Sequence, residues 1–160
     1  MILAKVISGG QTGVDQAGLA MARKYGFETG GWAPRHFMTS IGSQREFLMS
    51  YGLKEHRGGY RDRTWQNVLD SNATIRLAFD FNSPGERCTK KAIIRYKKPH
   101  YDIDLRNPVI PQIIVEWLKI NNVSILNIAG NTERDNIERV VFNTACDYLD
   151  KVFLLIKGWK

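Results

Sequence analysis

Ile7-Ser8-Gly9-Gly10-Gln11-Thr12-Gly13-Val14-Asp15 is the stretch that decides the fold. Upstream, Ile2 to Ser8 is a short apolar run that reads as a buried strand. Downstream, Val14, Ala17, Gly18, Met21 and Tyr25 recur at helical spacing, and Gly26 follows as a C-cap. Small residues on that helix predict close packing on a sheet. Glycines between strand and helix let the backbone approach a ligand, and the helix N-terminus offers unpaired N–H groups and a positive dipole end. Phosphate or another oxyanion is the natural occupant, with Gln11 and Thr12 adding side-chain hydrogen bonds. A tight turn without a ligand is the plain alternative. No Gly-Lys-Ser/Thr follows, so the loop is not a Walker A motif. Ser8 stands where a dinucleotide fingerprint has its first glycine, and no ribose-binding acid closes a second strand, so NAD is not expected. Asp15 has two open readings, a first-turn acid complementing the helix dipole or a ligand contact.

Outward from this unit, strand-like and helix-like segments alternate. Phe27 to Trp32 reads as a second strand closed by Pro34. Residues 35–60 are irregular and glycine-rich, with a helix expected near Gln44–Tyr51. Such long excursions in compact domains are usually functional or disordered. Arg61 to Leu69 predicts a short helix with Trp65, Val68 and Leu69 inward. Thr74 to Phe79 is the third strand; Cys88, Ala92, Ile93 and Tyr96 mark the next helix; residues 100–105 are the fourth strand. Asn107-Pro108 predicts a helix start, continued by the apolar stripe Ile110, Ile113, Ile114, Trp117 and Leu118. Val123 to Ala129 is the fifth strand. Ile137, Val141, Ala145, Tyr148, Leu149, Val152, Phe153 and Ile156 fit one long final helix. The pattern predicts a single Rossmann-like α/β domain over residues 1–160. It is a three-layer fold, with a mainly parallel sheet of about five or more strands and helices on both faces. Ligands then bind beyond the carboxyl ends of the strands, in the loops after strands one, three and five.

The 160 residues are 43% hydrophobic and 24% charged, an ordinary globular balance. No apolar run reaches the ~20 residues of a membrane span, and the N-terminus lacks a signal-peptide pattern, so a cytoplasmic location and no membrane partner are expected. Cys88 and Cys146 form no Cys-x-x-Cys pair, which argues against structural zinc. Cys146 falls on an apolar helix face and reads as an inert thiol, whereas Cys88 lies near a candidate site. The net charge of +7 divides evenly, +3 in residues 1–80 and +4 in residues 81–160. Such a domain attracts anions, and charge alone does not choose among nucleotides, phosphates and nucleic acid.

Three further loops carry candidate chemistry. In Tyr60-Arg61-Asp62-Arg63-Thr64-Trp65-Gln66-Asn67, Arg61 and Arg63 can clamp an anion, and Thr64 and Asn67 share a helix face. Phe81-Asn82-Ser83-Pro84-Gly85-Glu86-Arg87-Cys88-Thr89 is a second glycine-containing cradle. The basic residues after it, Arg87 to Lys98, read chiefly as a solvated helix face, so nucleic acid is not the expected partner. Ala129-Gly130-Asn131-Thr132-Glu133-Arg134 is polar at a strand's carboxyl end, where a helix cap is the plain reading. His36, His56 and His100 lie far apart, and no Gly-x-Ser-x-Gly elbow exists, so metal and serine hydrolysis both lack their residues.

Ile7 to Asp15, followed by Gly30-Gly31-Trp32-Ala33-Pro34, resembles the opening of the molybdenum-carrier family (molybdenum cofactor carrier protein-like). Tyr60, Arg63-Thr64, Asn67-Val68 and Asp70-Ser71 resemble its middle signature. Leu126-Asn127-Ile128-Ala129-Gly130 resembles its late strand and loop. The resemblance spans most of the chain and implies the SLOG superfamily of Rossmann-like nucleotide and ligand binders, homologous to lysine-decarboxylase-like proteins. It further implies molybdenum cofactor (molybdopterin) as the bound ligand, a homo-oligomer (dimer or tetramer), and molybdoenzymes as partners. Two segments depart from the family pattern. Ser83 to Thr89 replaces a Gly-Gly-Thr run, and Gly130 to Arg134 replaces Gly-Pro-Arg-Glu-Ser. Related phosphoribohydrolases carry a catalytic glutamate where this chain has Ala92, which argues against that activity. The resulting expectation is a carrier of a phosphorylated, nucleotide-like ligand without catalysis of its own. Its ligand-binding residues would be Ser8, Gly9, Gly10, Gln11, Thr12, Gly13, Asp15, Trp32, Arg61, Arg63, Thr64, Asn67, Ser83, Gly85, Thr89, Gly130 and Asn131. The alternatives are a binder of an ADP-ribose-type nucleotide signal and a nucleotide-processing hydrolase using Asp15, Asp80 or Glu86.

Overall fold

A computed structural model describes residues 3–158. Its strands are β1 (Lys5–Ile7), β2 (Glu28–Ala33), β3 (Met38–Thr39), β4 (Gly42–Ser43), β5 (Leu53–Glu55), β6 (Ala73–Ala78), β7 (His100–Asp104) and β8 (Ile125–Gly130). Its helices are α1 (Val14–Lys24), α2 (Arg45–Ser50), α3 (Tyr60–Asp70), α4 (Pro84–Tyr96), α5 (Pro111–Ile120) and α6 (Val140–Lys157). Six strands form one all-parallel sheet in the order β5-β2-β1-β8-β6-β7. This is the expected three-layer α/β fold. Helices α1, α5 and α6 pack together on one face, and α3 and α4 pack together on the other. Parallel strands covered on both sides are apolar throughout. Every residue of β6 is accordingly buried, including Arg76, whose guanidinium is paired with Asp102 on β7.

The last strand, β8, inserts between β1 and β6. Val6 and Ala73 flank Leu126, and Ile128 on the same strand packs against Gly18 of α1. The main core joins Leu126, Ile128, Leu149, Phe153 and Ile75, all at 0% exposure. The chain direction diverges between β1 and β8, which opens a crevice at their carboxyl ends.

The structure departs from the expected elements at five places. The 35–60 excursion holds the expected helix, α2, and in addition the β3–β4 hairpin and the edge strand β5, which were not expected. Its own small core contains Phe37, Leu48 and Leu53. Three residues of β5 were too short a pattern to register as a strand. Helix α5 begins at Pro111 rather than at Asn107-Pro108, with Ile110 as N-cap. Asn107 instead closes a turn by donating its backbone N–H to Asp104 O, and Val109 O accepts the Tyr148 hydroxyl. Leu69 faces solvent, because α3 turns Val68 and Asn67 inward. Ile137 lies before α6, at 92% exposure. That helix starts at Val140 because the buried Glu133 carboxylate accepts the Val141 and Phe142 N–H groups. Finally, the expected first strand is shortened to Lys5–Ile7, and Ile2 lies outside the described residues. Among the described residues, no helix is long and apolar enough to cross a membrane, and no group of three or more His, Cys, Asp or Glu could hold a metal.

Candidate functional site

The loops after β1, β6 and β8 converge with the first turns of α3 and α4 around a cleft of about 480 Å³. That volume suits a nucleotide-sized ligand. The structure brings Gly9, Gln11, Asp15, Arg61, Arg63, Thr64, Asn67, Ser83, Gly85, Thr89, Gly130 and Asn131 of the expected residues to its wall. Tyr60, Pro84, Glu86, Cys88, Asn127, Ala129, Thr132 and Arg134 join them. Glu86 carried a sequence signal as the fourth residue of a Ser-x-x-Glu capping box, and Asn127 is a polar residue inside an otherwise apolar strand.

Five expected residues lie elsewhere. Ser8 is fully buried; its Oγ donates to Asp15 O and accepts from Gly10 N. Gly10 faces Leu48 and Leu53. The Thr12 hydroxyl bonds to Ser40 Oγ at 2.5 Å. Gly13 adopts φ +93°, and a side chain there would place Cβ 2.4 Å from Asn131 O. Its role is to bring the β1 and β8 loops together. Trp32 lies on β2, where its indole Nε1 donates to Asp70 Oδ2 at 2.8 Å.

Four N–H groups of the glycine loop are paired within the protein. Gly10 N–H donates to Ser8 Oγ, Gln11 N–H to Asp15 Oδ2, Thr12 N–H to Gln11 Oε1 and Val14 N–H to Asn131 O. The second cradle is also internally paired. Ser83 Oγ caps α4 at Glu86 N and donates to Glu86 Oε2, while Thr89 Oγ1 donates to Gly85 O. The Asn67 amide brackets the Trp32 backbone, accepting from its N–H and donating to its carbonyl. These side chains line the cleft wall and carry hydrogen bonds within the protein.

The cleft lining also holds arginines and buried carboxyls. Arg63 is 9% exposed, and its guanidinium lies flat against Gly9, where an added Cβ would sit 2.7 Å from Cζ. Its Nη1 donates to Thr64 Oγ1, but the buried Nε has no partner. That Nε is sealed against Gly9, so the guanidinium nitrogen left for a ligand is Nη2. Arg61 stacks over Trp65 at the mouth, 4.6 Å from the ring centroid, and Arg134 is exposed there. Asp15 and Glu86 are buried at 5% and 3% exposure. Burial pushes Asp15 up to about 6, partly offset by Arg63 and by the Gln11 N–H, with Glu86 adding repulsion. Burial also raises Glu86, against the bonds from Ser83 and Asn131. Of the three carboxylates considered for hydrolysis, Asp80 does not line the cleft; its Oδ1 accepts from Asn82 N.

A parallel sheet, a crevice at the strand-order reversal and a cleft lined by convergent loops define a Rossmann-like α/β fold with its cleft at the carboxyl ends of the strands. The chain belongs to the circularly permutated YpsA SLOG family, whose model matches residues 6–153. A similar solved structure is a Syntrophus aciditrophicus protein provisionally named a molybdenum carrier protein. It shares 33% identity, the match covers 94% of each chain, and the TM-score is 0.84. No curated protein matches the chain.

Proposed function

We propose that this protein binds and carries a phosphorylated, nucleotide-like ligand in the cleft, with molybdenum cofactor the first candidate, and does not itself transform it. The observation that carries this reading is Arg63: a guanidinium on the wall of a ligand-sized cleft, with Nη1 tied to Thr64 and Nη2 neither paired within the protein nor sealed off. A phosphate oxygen pairs with the open Nη2 edge of that guanidinium, and Arg61 and Arg134, which line the same cleft, add charge. The carrier role is supported by the name of the similar Syntrophus protein. Residues Gly9, Gln11, Thr64, Ser83, Gly85, Thr89, Gly130 and Asn131 shape the cavity around the ligand.

Native followed by denaturing mass spectrometry of the purified protein tests the reading. Release of a pterin or molybdenum is the expected result, and Arg63→Met should abolish its retention. Failure of the protein to bind pterin, nucleotide or pyrophosphate in titrations would overturn it.

A nucleotide-processing hydrolase is the second reading. It is favoured by one observation, two buried cleft carboxyls that hold their protons above the usual range. Turnover of a nucleotide that disappears in Asp15→Ala or Glu86→Ala would replace the carrier reading with this one.

A further inference from the structure

An anion site has no use for buried carboxylates, yet the cleft holds two. Each sits in the first turn of its helix, Asp15 in α1 and Glu86 in α4, so each fills a helix N-terminus that could have received phosphate. Each carboxyl is tethered by one oxygen. Asp15 Oδ2 accepts from Gln11 N at 3.1 Å. Glu86 Oε2 accepts from Ser83 Oγ at 2.9 Å and Asn131 Nδ2 at 3.1 Å. The protein provides no bond to the other oxygen of either group. Those oxygens are not sealed off, since the sealed and unpartnered side-chain atoms among the described residues are Arg63 Nε and Trp65 Nε1. Two acceptor oxygens on the cleft lining are therefore without donors from the protein. Buried acceptors require donors, and carboxylates offer acceptance only.

We propose that Asp15 and Glu86 hold the hydrogen-bond-donor edge of the ligand's ring, and that this edge is the 2-amino-4-oxo pyrimidine edge common to guanine and pterin. The proposal rests on the ligand-binding reading above and names the ring that the site selects. A 2-amino-4-oxo edge presents an amide N–H beside an amino N–H₂, two adjacent donors for two separate oxygens. A 6-aminopurine presents its amino group beside a ring-nitrogen lone pair, which would be set against a carboxylate oxygen. Tyr60 and Pro84 line the same cleft and supply surfaces for a flat ring. The phosphate end then lies toward Arg63. A site built on hydrogen bonds to a ligand rejects an analogue lacking them far more strongly than an apolar pocket can.

Calorimetric titration of the full chain with GMP, dGMP, AMP and pyrophosphate tests this. GMP and dGMP should bind at least about tenfold more tightly than AMP, and pyrophosphate should compete with all three. Asp15→Asn and Glu86→Gln should remove the preference for GMP while pyrophosphate still binds, and thermal melts establish that each variant is folded. The wild-type comparison alone decides the matter if a variant does not fold. Equal affinity for GMP and AMP, or a GMP preference that survives both substitutions, overturns the proposal. So does a loss of GMP affinity on removing the 2′-hydroxyl, which would place the carboxyls on the ribose. Pyrophosphate binding without ring preference sinks this proposal alone, whereas no binding of any probe sinks the ligand-binding reading with it.

Discussion

Gly9 and Arg63 are in face-to-face contact: the glycine Cα supports the guanidinium, and a Cβ at residue 9 would lie 2.7 Å from Arg63 Cζ, Nε and Nη1. The first strand's loop and the third helix are thereby locked to one geometry at the cleft wall. Gly9→Ala must push the guanidinium aside. The substitution should lower pyrophosphate affinity about tenfold, ~1.4 kcal/mol, while the melting temperature moves little, because the end of a flexible side chain gives way rather than backbone. Calorimetric titration paired with thermal melts checks both halves. Unchanged affinity would mean that Arg63 does not hold the anion.

Asp15 gives the protein a pH dependence of defined sign. Its carboxyl titrates at about 6 in the folded chain against an ordinary 3.8, chiefly because it is buried. The folded state thus favours the proton. Full stability is present below about pH 4 as far as this group is concerned, falls as pH rises from 3.8 to about 6, and stays reduced above that. The ionised form costs roughly 3 kcal/mol at neutral pH. Asp15→Asn should raise the melting temperature at pH 8 and leave it nearly unchanged at pH 4. Denaturation midpoints of both proteins across that range measure the difference, and a variant destabilised at pH 8 would contradict it.

Arg76 and Asp102 form a two-pronged pair across β6 and β7, at 2.8 and 2.6 Å, and Arg76 Nη1 also donates to Glu86 O. The arginine side chain is 4% exposed and the aspartate 33%. The two partners are therefore not equivalent. Asp102→Ala leaves a buried guanidinium without its counter-ion and should cost about 3–5 kcal/mol. Arg76→Met leaves a carboxylate that reaches water and should cost less. Urea unfolding of the two variants gives the ranking, and the reverse order would refute the argument.

The two cysteines should react differently. Cys146 is half-buried in α6, and burial pushes its thiol up to about 11, so at pH 8 it carries almost no thiolate. Cys88 lines the cleft. Alkylation at pH 8 followed by peptide mass mapping should label Cys88 first, and saturating pyrophosphate should slow that labelling. Equal labelling of both residues would contradict the assignment.

Much of this was written in local sequence. Alternating apolar strands and amphipathic helices announced a parallel α/β sheet, because covering both faces of a sheet demands that pattern. The glycine run at Ser8–Gly13 marked the first cleft-lining loop, and the Arg61–Asn67 helix start, the Ser83–Thr89 turn and the loop after Ala129 marked its companions. Chain order says nothing about neighbours, however. That β8 lies between β1 and β6, and so sets Asn131 over the first loop, depends on which apolar faces fit together after the chain has collapsed. Nor could sequence tell which polar groups would be left unpaired. Gly10, Thr12 and Ser83 look like ligand contacts in the sequence, yet their hydrogen bonds are taken by Ser8, Ser40 and Glu86. Arg63, Asp15 and Glu86 each keep one polar atom without a protein partner, because packing sets them on the cleft wall after the chain has folded. Composition and periodicity thus determined the layers, and three-dimensional pairing decided which residues face the cleft.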